Sequence, residues 1–131
     1  MSGYQTLVVG TDGSPTSLRA VDRAAEIAAR SNAKLIIATG HSRGDSAARK
    51  SSAILREASD RAHGAGAENV EERPVRGAPA EALVRVAEEV QADLLVVGRL
   101  GLDPIIGRMF SVPGDVSRRA KTDVLIVHTT G

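Results

Sequence analysis

The chain has 131 residues, 42% apolar and 25% charged, which suits one globular domain (residues 1–131). It has no cysteine and only three scattered histidines, which excludes disulfide and thiol chemistry and leaves no zinc ligand set. A net charge of +1, one Tyr, one Phe and no Trp give neither a basic face for nucleic acid or anionic membrane nor a base-stacking platform.

The first apolar run, Thr6 to Gly10, is short, β-branched and apolar on both faces, as a central parallel strand should be. Thr11-Asp12-Gly13-Ser14-Pro15 follows as a loop. Leu18, Val21, Ala24, Ala25 and Ala28 then recur at helical spacing, with Ser14 or Ser17 as cap and Pro15 in the first turn. Leu35 to Ala38 predicts a second buried strand, and Gly40 to Ala47 a polar connection. A helix is predicted over Ala48 to His63, with Ala53, Ile54, Ala58 and Ala62 on one side and Gly64 as its stop. Asn69 to Val75 alternates and carries Pro74, which suits an edge strand. Ala78 to Val90 is helical, with Ala82, Leu83, Val86 and Ala87 inward. Asp93 to Gly98 is the strongest strand pattern; a glycine-rich segment leads from it to a short helix at Val116 to Ala120 and a last strand at Asp123 to His128.

This β-α-β-α-β-α-β-α-β alternation predicts an α/β fold, a doubly wound five-stranded parallel sheet with right-handed crossovers and helices on both faces. No signal-type leader and no apolar stretch of membrane-spanning length are present, so the expectation is a cytoplasmic protein without a membrane partner.

Such sheets take ligands beyond the C-terminal ends of their strands, where strand order reverses. The special residues should follow the first and fourth strands, and they do: Gly10-Thr11-Asp12-Gly13-Ser14 and Gly98-Arg99-Leu100-Gly101. Glycines there let backbone approach a ligand and offer N–H groups to phosphate. Asp12 has three readings: accepting ribose hydroxyls, holding nucleotide-bound Mg²⁺, or capping its own turn. Arg99 either neutralises phosphate or is solvated. His41 reads as a solvated loop residue and His63 as a helix C-terminal residue.

Several nucleotide classes are excluded. The chain contains no G-x-x-x-x-G-K-[ST], and no G-x-G-x-x-G follows the first strand. A phospho-receiver would need an acidic pair after strand one, an aspartate after strand three and a lysine after strand five; here Asp12 stands alone, Arg76-Gly77 follows strand three and His128-Thr129-Thr130 follows strand five. A flavin electron carrier is the nearest rival, since Thr11, Ser14, Thr16 and Ser17 could cradle a flavin phosphate, but Tyr4 and Phe110 are the only aromatics to hold the ring.

Four segments, V-V-G-T-D-G-S (8–14), A-D-L-L-V-V-G-R-L-G (92–101), S-V-P-G-D-V-S-R-R-A (111–120) and D-V-L-I-V-H (123–128), resemble the universal stress protein family in order and spacing over nearly the whole length. The wording of residues 69–79 and of the ending is most similar to a branch that binds cyclic AMP as well as ATP. The resemblance implies strand order 3-2-1-4-5 and an adenine-nucleotide pocket, with no tightly held cofactor. Asp12 would hold the ribose, Gly10 would close the first strand, and Thr11 and Thr39 would lie near adenine. Val97 would line the adenine slot with its backbone. Gly98 and Gly101 would form the close turn at the phosphates, with Arg99 between them, and Ser111-Val112 would open the next helix, whose start favours an anion.

The family pattern is Gly-x-x-Gly, nine residues, then Gly and Ser or Thr. Here residues 102–110 fill the nine and Ser111-Val112 follow, so the third glycine is absent. That departure bears on the triphosphate end, and a cyclic nucleotide with one phosphate demands less of it. The Gly40 to Lys50 connection is also short for the family. The resemblance further implies a homodimer through Val124 to Val127, which would cover an otherwise open sheet edge. The function expected is a non-catalytic stress-signalling or nucleotide-buffering module. The alternative is a weak ATP hydrolase or phosphotransferase, for which Asp12 is the only obvious acid.

Overall fold

The computed structural model describes residues 3–41, 44–76, 79–98 and 122–127. The elements run β1 (Thr6–Gly10), α1 (Pro15–Ser31), β2 (Lys34–His41), α2 (Asp45–Gly64), β3 (Asn69–Arg76), α3 (Pro79–Val90), β4 (Leu94–Gly98) and β5 (Asp123–Val127). All strand pairs are parallel, in the order β3-β2-β1-β4-β5. This is the doubly wound sheet expected from the alternation. The short helix expected at Val116 to Ala120 lies outside the described residues.

The core divides by strand parity, because successive side chains leave a strand on opposite faces. Leu7, Val9, Leu35, Ile37, Leu94 and Val96 point toward α1 and α2, while Val8, Ile36, Ala38, Leu95 and Val97 point toward α3. The three central strands are therefore apolar on both faces, and each fully buried Leu or Ile contributes roughly 1.5–3 kcal/mol.

α1 presents the expected stripe, with Leu18, Val21, Ala24, Ala25 and Ala28 all buried. Ser14 is its N-cap: the Ser14 side chain accepts from the Ser17 N–H at 3.2 Å. Pro15 occupies the first turn, where its missing N–H costs nothing. α2 starts earlier than its apolar pattern, at Asp45, so the connection from β2 is only residues 42–44. Its inward face is Ser51, Leu55, Ala58 and Ala62; Ile54 is half-buried and Ala53 is exposed, contrary to the expected stripe. Leu83, Val86 and Ala87 of α3 are buried as expected.

Polar residues set the strand starts and the edge. The Asp93 carboxylate accepts the backbone N–H of Gln5 and of Thr6, each at 3.0 Å, anchoring β1 beside β4. The Tyr4 hydroxyl donates to Asp123 at 2.8 Å, tying the chain ahead of β1 to β5. β3 is the edge strand that Pro74 indicated. Two of its charges are paired: Glu71 with Lys34 at 3.0 Å and with Arg73 at 2.9 Å, and Arg73 with Glu89 of α3 at 3.3 Å. Charged, Pro-containing edges resist pairing with other chains.

Candidate functional site at the switch point

β1 lies between β2 and β4, and the chain crosses from one half of the sheet to the other around it. The ladder from β1 to β2 runs as far as Gly10 with Ala38, and Thr11 N–H extends it by donating to Ala38 O at 3.0 Å. The ladder from β1 to β4 stops earlier, at Val9 with Val96, although both strands continue. Past that point β1 stays with β2 and leaves β4. The place expected for a switch-point crevice therefore lies between Gly10 and the last residues of β4, Val97 and Gly98.

Thr11 and Thr39 are buried at the ends of adjacent strands. Val97 is buried on the α3 face, and Gly98 ends β4 in register with Val127. Asp12 is exposed at the mouth. Arg99, Gly101, Ser111 and Val112, assigned to the phosphate side, lie outside the described residues. Gly10, Thr11, Asp12, Thr39, Val97 and Gly98 all sit at the C-terminal ends of neighbouring strands.

Gly10 has a packing reason of its own. A Cβ there would fall 2.5 Å from Leu83 Cδ1 and 2.8 Å from Cδ2, so the absence of a side chain lets α3 lie close to the strand end. Gly13 takes φ of +85°, which side chains rarely adopt, and it faces Ile54 of α2.

The loop from Thr11 to Ser14 is held by a closed set of hydrogen bonds. Ser14 N–H donates to Asp12 Oδ1 at 2.9 Å, so the turn-capping reading of Asp12 holds. Gly13 N–H donates to Thr11 Oγ1 at 3.0 Å. Thr11 Oγ1 and Ser17 Oγ lie 2.7 Å apart, and Ser17 Oγ donates to Ser14 O at 3.0 Å. Since a serine hydroxyl has one proton, Thr11 is the donor to Ser17. Ser17 Oγ also accepts the Asp12 N–H at 3.3 Å. Burial alone would raise the Asp12 pKa; the hydrogen bonds from Ser14 and Ser17 outweigh it and hold the carboxyl below its ordinary value. The mouth of the crevice thus carries a fixed, ionised acceptor.

Sequence reading did not single out Ser17 for this role. The available signal was a serine on the apolar stripe of α1, one turn before Val21. His63 Nδ1 lies 3.0 Å from Ala67 O at the end of α2, as a C-terminal histidine should, and His41 closes β2.

Fold and loop together define a doubly wound α/β protein with the Asp12 carboxylate placed at its switch point. The universal stress protein family profile matches residues 3–128. Universal stress protein Rv1636 of Mycobacterium tuberculosis is 55% identical over 147 aligned positions, covering 99% of this chain and all of that protein. With 131 residues here, at least 16 of those positions have no counterpart in this chain. Among solved structures, a universal stress protein in complex with cAMP is 58% identical, with a TM-score of 0.81 over 98% of this chain and 100% of its own. The Archaeoglobus fulgidus universal stress protein in complex with dAMP is 26% identical, with a TM-score of 0.72 over 95% of this chain and 98% of its own. The chain belongs to the universal stress protein family.

Proposed function

We propose that the chain binds an adenine nucleotide, cyclic AMP or ATP, in the crevice between β1 and β4, and that it signals or buffers that nucleotide without transforming it. The observation that carries the reading is Asp12, an ionised acceptor fixed at the point where the two strands part. The similar proteins in complex with cAMP and dAMP support an adenine ligand.

In this reading Asp12 accepts the ribose hydroxyls, Thr11 and Thr39 flank the base, and Val97 and Gly98 offer backbone. Arg99, Gly101, Ser111 and Val112 belong to the phosphate side. Among the described residues no group of three His, Cys, Asp or Glu side chains converges on a metal position.

Calorimetric titration with cyclic AMP, ATP, AMP and GTP tests the assignment. Adenine ligands are expected to bind, GTP more weakly, and Asp12→Ala to weaken every adenine ligand by at least about tenfold, the loss of one good charged hydrogen bond. Unchanged affinity in Asp12→Ala would remove the ribose assignment.

The same reading includes a twofold dimer through Val124 to Val127. Its support is the place of β5 at the sheet edge and the exposure of Val124, 36%. Ile126 packs on the α3-side core and Leu125 and Val127 on the other, so Val124 is the position that tests the edge without disturbing either. Val124→Lys is expected to sediment as a monomer; an undiminished dimer would refute the interface.

A further inference from the structure

We propose that Ser17 is the positioning residue of the ligand site: its buried hydroxyl fixes the main chain on both sides of Asp12 and so aims the carboxylate that takes the ribose. The inference rests on the nucleotide reading above.

The side chain is fully buried, at 0% exposure, on a helix stripe otherwise made of Val21, Ala24 and Ala28. Helix propensity alone would favour an alanine there. The hydroxyl instead makes three contacts, and all three go to the loop: it accepts from Thr11 Oγ1 at 2.7 Å and from Asp12 N–H at 3.3 Å, and donates to Ser14 O at 3.0 Å. Those partners are Asp12 and the residues that bracket it. Asp12 in turn accepts from Ser14 N–H at 2.9 Å, so the carboxylate and the residue behind it are set by one network. The Ser17 N–H is already used in the helix cap, donating to Ser14 Oγ at 3.2 Å. The cap therefore does not need the Ser17 hydroxyl, which leaves the loop path as its work. Without it, Thr11 Oγ1, Asp12 N–H and Ser14 O lose their common partner, and the main chain around Asp12 loses a shared anchor.

The test is a double-mutant cycle read by calorimetric titration with cyclic AMP on the full chain: unaltered protein, Ser17→Ala, Asp12→Ala and the double variant. A residue that acts through Asp12 has nothing left to aim once the carboxylate is gone. Ser17→Ala is expected to weaken cyclic AMP by about five- to tenfold in the unaltered background. In the Asp12→Ala background the same change should have no effect beyond about twofold. A purely structural serine would cost the same factor in both backgrounds, and that multiplicative result overturns the proposal, as does an unchanged affinity in Ser17→Ala. If Ser17→Ala does not fold, Ser17→Cys puts a weakly hydrogen-bonding thiol of similar shape in place of the hydroxyl, and the same cycle applies. Unchanged binding in Asp12→Ala would sink the ribose assignment itself; loss of binding there with multiplicative behaviour sinks only the role of Ser17.

Discussion

Replacing Gly10 by alanine tests how the strand end is built. The added methyl would lie 2.5 Å from Leu83 Cδ1, 2.8 Å from Cδ2 and 3.2 Å from Cγ. Carbon atoms in good contact sit about 3.5–4.0 Å apart, so Leu83 must retreat by roughly 1 Å. Leu83 is buried, at 4% exposure, and shares its cluster with Val8, Ile36, Val86 and Ala87, so its retreat presses on them. The displacement passes to α3, and overpacking of this kind costs about 1–3 kcal/mol. At this chain length, about 2 kcal/mol lowers the melting temperature by roughly 6 °C. Urea unfolding with an unchanged slope measures it directly. Leu83→Ala alone should cost about 2–5 kcal/mol by leaving a cavity. In the double variant the new methyl fills part of that cavity, so its loss should fall short of the sum by at least about 1 kcal/mol. A neutral Gly10→Ala, or strict additivity, would refute the argument that α3 dictates a glycine at the end of β1.

Two pH predictions follow from the charged groups. The fold holds the Asp12 carboxyl below its ordinary value, so its stabilising contribution is complete above the unfolded-chain value, about pH 4, and is lost as pH falls through the native value. Nucleotide affinity should therefore change by less than about twofold from pH 7 to pH 5; a decline already under way at pH 6 would show that another group controls binding. Tyr4 is the single tyrosine, and its hydrogen bond to Asp123, followed by burial and the charges of Asp123 and Asp93, raises its pKa. Phenolate absorbance should show a midpoint above the ordinary value of about 10, and Asp123→Ala should bring it down. An unmoved midpoint would mean that the Tyr4–Asp123 contact does not persist in solution.

The parallel alternation and the two-sided core were legible because they follow from short apolar runs, which are local signals, whereas the strand order came from the family resemblance. The inward face of α2 was not. Its stripe begins with Ser51, a buried polar residue, so counting only apolar side chains moved the face round to Ala53 and Ile54. Ser17 escaped for the same reason on α1. The fit of Leu83 against Gly10 joins residues brought together only by topology, and no pattern in either neighbourhood announces it. Asp12 was narrowed to three roles by its residue type and place. Coordinates added that the capping bond is made while the side chain stays exposed at the mouth.

The order β3-β2-β1-β4-β5 also shapes how the polypeptide emerges from the ribosome. Synthesis delivers β1, β2 and β3 first, and these can pair at once, leaving Leu7, Val8 and Val9 with one naked flank. That flank is closed only when Leu94 to Val96 appear, after the whole of α3 has been made. In the interval this central strand is an unguarded template for a neighbouring nascent chain. The charged rim of β3 guards the other end of the half-built sheet, so the hazard of misassembly during translation is concentrated on the flank that β4 later covers.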